Sequence, residues 1–531
     1  MAEIQRAGTA APRLAGQALV PCRRGAGAGA GAAWLLACAA LLAGCATVPT
    51  VEPPALHSAV AIQPIRIRGP RGTLSRRETG IILQRLNAQV RDPDDFDRHL
   101  AIEQYVAGSP LYTGNRVTIL RDGPQTFAAM FAAIRQAHHY LYLEYYILED
   151  VSYDGQKLSD LLLERRAQGV AIDIIYDSIG SLSTPGQFFQ RLQAAGVRIR
   201  QFNPITRALF HINDRDHRKI LIADGTTGII GGVNLSTDYE STPTSGHGLS
   251  GSPGSRRAKS SDPGSASAPQ SAPAAAAAPA AAPAPAPPPP AASPEPAAPK
   301  PQDQWHDTDL QIDGPAVSEL KLLFEQHWRQ EGGDADQLAQ DPVAPTAQGD
   351  QVVRIIGSQG GQLLPRYYAT LLSAIRTARR RIWIEAAYFV PTFQERQALV
   401  RAARAGVDVR VLVPSHSDSK AALAVQQSYY GRLLRAGVKI YERDDGFLHS
   451  KTAVMDGVWS IVGSSNFDHR SVLFNDEVDA VVIGDRTGSQ LEQYFQQDLQ
   501  HAHAVSPSAW RDRPLSRRID EQFWRLWQQL L

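Results

Sequence analysis

Two segments of the chain hold the residues that could do chemistry. "HRKILIADGTTGIIGGVN", from His217 to Asn234, sets Lys219 two residues after a histidine, Asp224 five further on, and ends in Gly-Gly-x-Asn. "HSKTAVMDGVWSIVGSSN" repeats the offsets with His449, Lys451, Asp456 and Asn466. One copy would be a weak signal, because an isolated histidine is more often a packed structural residue than a catalyst. Two copies at the same offsets make coincidence the harder explanation.

On a strand, residues two apart share a face, so His217 points with Lys219 and His449 with Lys451. The apolar neighbours "ILIA" and "TAVM" predict that the rest of each strand is buried. Two histidines brought to one cleft can transfer a phosphodiester without metal: one attacks phosphorus, the other protonates the departing alkoxide. Lysines and the amides of Asn234 and Asn466 would hold the nonbridging oxygens. Each histidine needs a partner on its other ring nitrogen, and the carboxylates Asp307 and Glu477, aligned by the repeat described below, are the candidates. Asp224 and Asp456 are grouped with the catalytic set, although their place at strand ends suits them to holding loops or lysines. No metal is expected: no H-x-x-x-H helix, carboxylate cluster or cysteine accompanies the histidines, and a lysine beside each opposes a cation.

The elements that must position these groups recur twice. Short β-rich runs alternate with stretches of helical spacing from about Val117, as in "YLYLEYYIL", "KLSDLLLERRAQG" and "VAIDIIYD", and again from Gln351, as in "RIWIEAAYFV", "QALVRAARAG" and "VDVRVLVP". This alternation predicts an α/β fold of two similar α/β/α sandwich domains, related by a pseudo-twofold axis and sharing one active site. Glu144 matches Glu385, and "RLQAAGVRI" matches "RLLRAGVKI". "DEVDAVVIGD" follows the second motif directly, whereas its counterpart "HDTDLQIDGP" lies beyond an Ala/Pro-rich run, so that run is an insertion inside the first domain. Aligning Gly314 with Gly484 sets Asp307 opposite Glu477. The expected layout is an export signal over 1–45, an unassigned segment over 46–106, a first domain over 107–331 with a disordered insertion at 241–304, a linker over 332–350, a second domain over 351–505 and a C-terminal amphipathic helix over 506–531.

At 531 residues and 43% hydrophobic the chain has room for both domains. Lys plus Arg number 54 and Asp plus Glu 53, which leaves no general field for nucleic acid, and no basic stripe interleaves with aromatics. The three cysteines, Cys22, Cys38 and Cys45, all precede the body. Arg23 and Arg24 lead into "GAGAGAGAAWLLACAALLAGC", which suits the apolar stretch of an export signal. At the other end Ile519, Phe523, Leu526, Trp527, Leu530 and Leu531 recur at helical spacing beside Arg517, Arg518 and Arg525. That pattern fits either a helix packed on the second domain or one lying at a membrane surface.

The paired motifs resemble the two H-K-D motifs of the phospholipase D superfamily. "AAYFVP", "AGVKIYE", "GFLHSKTAVMDGVWSIVGSSNFDHRS" and "NDEVDAVV" resemble the C-terminal half of bacterial cardiolipin synthases, and "GNRVTILRDG" resembles their first strand. The resemblance implies two α/β/α domains, no cofactor, and ping-pong transfer of a phosphatidyl group to phosphatidylglycerol, with His217 as nucleophile and His449 as acid and base. Hydrolysis to phosphatidic acid at the same site, an exported nuclease, and a lipid-binding lipoprotein without catalysis are the alternatives. The ending Leu42-Ala43-Gly44-Cys45 resembles the lipobox of bacterial lipoproteins, which implies lipid on Cys45 and a membrane-anchored, periplasmic location.

Overall fold

The computed structural model describes residues 48–51, 64–204, 213–240, 304–340 and 345–530. The segment expected to be an export signal, Cys45 and most of the Ala/Pro-rich insertion lie outside the described residues. In the first half the strands are β1 (Leu111–Arg121), β2 (Tyr140–Tyr145), β3 (Ala171–Asp177), β4 (Arg198–Phe202), β5 (Lys219–Ala223), β6 (Thr227–Gly231) and β7 (Thr308–Asp313). They lie in the order β4-β3-β2-β5-β6-β7-β1, with β2, β3 and β4 parallel and the other pairings antiparallel.

The second half repeats the arrangement. β8 (Gln351–Ser358), β9 (Arg381–Ala386), β10 (Asp408–Pro414), β11 (Lys439–Arg443), β12 (Lys451–Met455), β13 (Trp459–Gly463) and β14 (Asn475–Ile483) lie in the order β11-β10-β9-β12-β13-β14-β8. β7 takes in the first half the place β14 takes in the second. The two sheets join edge to edge where β1 pairs antiparallel with β8, Asn115 facing Gln351.

The β-branched runs that form these strands are buried on both faces, as a sheet covered by helices on each side requires. On the outer side of the first sheet lie α3 (Asp122–Gln136), α4 (Leu158–Ala167) and α5 (Gly186–Ala194), closing a core around Phe131, Leu143, Ile174 and Leu221. On the outer side of the second lie α7 (Arg366–Thr377), α8 (Phe393–Arg404) and α9 (Lys420–Ala436), around Leu371, Ile384, Val411 and Leu433. The inner faces share one core, in which Ile220, Ile222 and Ile312 of the first half meet Val353, Val454 and Val478 of the second. α6 (Val317–Gln330) and α11 (Asp485–Asp498) contribute Phe324 and Leu491 to it.

Helix ends follow local chemistry. Thr392 and Glu395 form a capping box at the start of α8, and Gly437 ends α9 at φ 96°.

The segment left unassigned by sequence forms α1 (Arg76–Asn87) and α2 (Pro93–Ala107). α2 begins with Asp92 capping and Pro93 at its first position, and it ends at the left-handed Gly108. It packs on α7 of the second half, where His99 Nδ1 and Ser373 Oγ stand 2.9 Å apart. Glu103 lies 2.9 Å from the Arg354 guanidinium and accepts from Trp459 Nε1 at 2.9 Å. The expected C-terminal helix is in fact broken into α12 (Pro507–Arg511), α13 (Leu515–Trp524) and a 3-10 turn over Arg525–Leu530. Pro514 cannot donate to a helical ladder and restricts the residue before it, which separates the two helices.

Glu103 and Arg354 are both fully buried, so removing one leaves the other as an uncompensated charge. Glu103→Ala is expected to cost about 3–5 kcal/mol of stability, read as a lowered urea midpoint with little change in slope.

Candidate functional site

The site is assembled by two short backbone pairings that cross between the halves. Arg215–Asp216 runs parallel to the start of β14, with Arg215 opposite Asn475 and Asp216 opposite Asp476. His217 N then donates to Asp476 O at 2.9 Å. In the mirror arrangement Trp305–His306 runs parallel to Phe447–Leu448, and His449 N donates to His306 O at 2.7 Å. Each pairing sets a histidine beside the carboxylate that comes next on the opposite strand. His217 Nδ1 lies 3.0 Å from Glu477 Oε2, and His449 Nδ1 lies 2.6 Å from Asp307 Oδ2. Each of the two motif histidines is thus oriented by the other half.

The two environments differ. Glu477 also accepts from Ser464 Oγ at 2.6 Å, Ser471 Oγ at 2.7 Å and Asn475 Nδ2 at 3.1 Å. Burial works to raise its pKa, but His217 and Lys219 outweigh it and hold the carboxyl below the usual range. An ionised Glu477 fixes the His217 tautomer with Nδ1–H donating, which leaves the Nε2 lone pair for chemistry. Burial, with Lys219 adding to it and Glu477 opposing, brings His217 down to about 4, so the ring is neutral at pH 7. His449 is held well below the usual histidine range, first by burial and then by Lys451 and Lys219. Burial pushes its partner Asp307 up to about 6 against the pull of Lys451.

The lysines are close to the rings they follow. Lys219 Nζ donates to His217 O at 2.6 Å, and Lys451 Nζ lies 2.8 and 3.0 Å from the two ring nitrogens of His449. Burial pushes Lys219 down to about 7 and lowers Lys451. Two groups that the motif does not contain complete the setting. The Tyr239 hydroxyl lies 2.9 Å from His449 Nδ1, and the Trp305 ring centroid is 5.0 Å from that of His449. Both flank the Ala/Pro-rich insertion, where no repeat alignment could point to them.

Both histidines and both asparagines, Asn234 and Asn466, line one cavity of about 310 Å³. The rest of its wall includes Tyr146, Trp305, Tyr388 and Val390, with Arg215 and Arg470 among the cationic groups and Asp418 and Asp468 among the acidic ones. Aromatic walls and a few convergent charged groups suit a ligand that is part apolar and part charged.

Asp224 and Asp456 do not line this cavity. Asp224 accepts from the amides of His138, His139 and Tyr140 at 2.8 Å each, and Asp456 from those of Arg379, Arg380 and Arg381 at 2.7–2.9 Å. Both have positive φ, 52° and 56°, at the turn that leaves the motif strand. Their grouping with the catalytic residues is therefore corrected: they are positioning residues that clamp the entry to β2 and β9.

Beneath His217, Arg218 is buried between Glu144 Oε1 at 3.0 Å and Asp476 Oδ2 at 3.5 Å. It also donates to Glu477 O and Ser358 O, so it ties the motif strand to the second half. His327 Nδ1 stands 2.8 Å from Glu144. Against the cost of burial, the Glu144 charge pushes His327 up to about 9, which makes it an imidazolium at pH 7. Glu144, Asp216 and His327 approach one another closely enough to hold a metal. The Arg218 guanidinium and the His327 imidazolium already answer the Glu144 charge, so the group reads as an ion-pair network.

Comparison with known proteins places this geometry. Residues 130–242 and 371–499 match the family described as "Cardiolipin synthase, PLD-like domain". The cardiolipin synthase of Geobacillus thermodenitrificans (strain NG80-2) is 32% identical over 438 residues, which cover 82% of this chain and 75% of that one. The chain belongs to the cardiolipin synthase family of PLD-like proteins. A probable cardiolipin synthase of Bacillus subtilis (strain 168), YwiE, is 28% identical over 442 residues, covering 82% of this chain and 77% of its own. Phosphatidylserine synthase from Haemophilus influenzae Rd KW20 superposes with a TM-score of 0.51 at 11% identity, over 78% of this chain and 95% of that one. That likeness is one of fold.

In this family member a second pair of carboxyls supports the asparagine turns. Asp309 Oδ1 accepts from Val233 N at 3.0 Å, and Asp479 Oδ2 accepts from Ser465 Oγ at 2.6 Å. Gly231 and Gly463 permit these approaches: a Cβ would meet the carboxylate oxygens at 2.0 and 2.2 Å. Burial pushes Asp309 up to about 8, with the Asp307 charge adding to it, and Asp479 likewise to about 8. The folded chain therefore holds these protons more tightly than the unfolded chain, and the contribution of this pair to stability falls as pH rises from about 4 to about 8. Asp309→Asn keeps the acceptor for Val233 N and cannot ionise. Its urea midpoint is expected to fall less than that of the wild type between pH 6 and pH 8, and equal slopes would show that Asp309 is not the neutral group.

Proposed function

We propose that the chain is a phosphatidyltransferase that makes cardiolipin, passing a phosphatidyl group to phosphatidylglycerol through a phosphohistidine. The reading rests on the crossed arrangement of His217–Glu477 and His449–Asp307 in one cavity. In the first step His217 Nε2 attacks phosphorus of the donor lipid, the bond to its head-group oxygen breaks, and His449 supplies the proton to that alkoxide. The entering phosphate brings negative charge to a pair of histidines that is neutral in its absence, which favours protonation of His449. In the second step His449 takes the proton from the acceptor hydroxyl, whose oxygen attacks phosphorus and breaks the P–N bond. His217 is then free again, and atoms and charges balance over the cycle.

Lys219, Lys451, Asn234 and Asn466 supply donors for the nonbridging oxygens in a site largely screened from water, where such donors count for more. An acceptor that is itself a phospholipid carries a second phosphate. Arg215, paired with Asp177 at 3.2 Å, and Arg470, which donates to Asn213 O at 3.1 Å, bring positive charge to the same cavity wall, and Tyr146, Trp305 and Tyr388 offer apolar surface to its glycerol and acyl portion. No helix among the described residues is long and apolar enough to cross a membrane. Access to lipid is proposed to come from export and lipid attachment at Cys45, with the enzyme on the periplasmic side of a bacterial envelope.

Wild-type protein in detergent with phosphatidylglycerol, with or without phosphatidylethanolamine, is expected to yield cardiolipin by mass spectrometry. His217→Ala and His449→Ala are expected to lower the yield at least a thousandfold, since each removes a reacting group. Phosphatidic acid as the sole product would assign hydrolysis instead. In cells, metabolic labelling with a radioactive fatty acid is expected to mark the wild type and not Cys45→Ser; equal labelling of the two would remove the lipid anchor from the reading.

A further inference from the structure

The C-terminal helix turns its apolar side away from the protein. Glu521 of α13 is 1% exposed and receives Arg513 at 2.6 Å, Arg517 donates to Gln427 of α9 at 2.9 Å, Trp524 packs on the second-half core, and Gln528 accepts from the Tyr429 hydroxyl. At about 100° per residue Arg517, Glu521 and Trp524 share one side of α13, and Gln528 of the following 3-10 turn reaches the same face of the protein. Leu515, Ile519 and Phe523 fall on the opposite side and are 68%, 62% and 51% exposed, and Leu526 of the 3-10 turn is 78% exposed. A helix stabilised only by packing would bury such residues. Of the stripe that periodicity left open to two readings, Ile519, Phe523 and Leu526 therefore do not pack on the second domain.

Charge and position indicate what covers it. Arg518 and Arg525 border the stripe on one edge and the exposed Asp520 on the other, and Arg525 lies over the Tyr429 ring at 5.2 Å. Arg396 of α8 lies over the same ring at 4.2 Å, and one turn earlier on α8 Phe393 is exposed. The elements against which the patch is held also reach the catalytic cavity. α9, on which α13 lies, starts at Lys420 beside the cavity residues Ser419 and Ala422. The 3-10 turn over Arg525–Leu530 abuts α10 (His469–Leu473), whose Arg470 lines the cavity.

We infer that α13 and the exposed Phe393 form an interfacial docking surface for a bilayer of anionic phospholipid, holding the cavity wall at the head-group level. Leu515, Ile519, Phe523 and Leu526 enter the boundary between head groups and acyl chains, while Arg518, Arg525 and Arg396 meet the phosphodiesters. A second copy of the chain fits less well, because a twofold contact through this stripe would bring the arginines of one copy toward those of the other. The inference rests on the proposed lipid chemistry for its choice of partner, but it is a statement about a surface and can fail separately.

The test uses the full chain with Cys22, Cys38 and Cys45 changed to Ser and bimane attached at Phe523→Cys. Vesicles of phosphatidylglycerol and phosphatidylethanolamine are expected to shift the label emission to the blue, and vesicles of phosphatidylcholine alone to do so at least tenfold more weakly. No shift with either vesicle would overturn the docking surface, and so would a shift produced by raising protein concentration without lipid, which would assign the stripe to self-association. In a second arm, Ile519→Ser combined with Leu526→Ser is expected to lower turnover of vesicle phosphatidylglycerol at least tenfold. Turnover of short-chain phosphatidylglycerol in detergent micelles should be unchanged, and an equal loss on both substrates would overturn the inference. The label arm reads correctly even if the lipid reaction proves to be a different one.

Discussion

Everything at the centre of this molecule depends on two short parallel backbone pairings that cross from one half to the other. The amide of His217 is held by the carbonyl of Asp476, and that of His449 by the carbonyl of His306. The residue after each carbonyl is the carboxylate that bonds the ring. Two backbone bonds and two side-chain bonds thus set the position and tautomer of both histidines. The large sheets, joined at β1 and β8 and packed through a shared inner core, keep those four bonds in register.

The cost of this centre lies in buried charge. Glu477, Arg218, Glu144 and His327 are all withdrawn from water, and such groups persist only where each has a partner of opposite charge or several donors. Arg218 binds a carboxylate of its own half and one of the other, together with two second-half carbonyls, so the ionic network also joins the halves. The more remote pair Asp309 and Asp479 avoids charge by staying protonated under glycines that leave room for them. One problem, a polar group beneath an active-site turn, is met by pairing in one layer and by neutralisation in the next.

Much of this was legible in the residues. The repeated offsets named both histidines, both lysines and both asparagines, and aligning Gly314 with Gly484 named Asp307 and Glu477 across a long insertion. The alignment could not say which carboxylate serves which histidine, because equivalence within a repeat carries no information about contacts between its copies. Tyr239 and Trp305 escaped notice for a related reason: they border the insertion, where the repeat loses register. Asp224 and Asp456 belong to the motif by spacing, yet the amides they accept show a clamp on the chain. Periodicity found the C-terminal stripe but not its direction, since the side facing the protein is set by polar anchors such as Glu521 and Gln528.

The crossed pairing also orders events in time. His217 and Glu477 are separated by 260 positions, and Asp307 and His449 by 142. Contacts this distant in sequence form late, after local structure and after the chain between them is in place. A ribosome that has finished the first half has made a histidine with no carboxylate to orient it and a carboxylate with no histidine to serve. Both histidines therefore gain their orienting carboxylates only when the second half folds against the first.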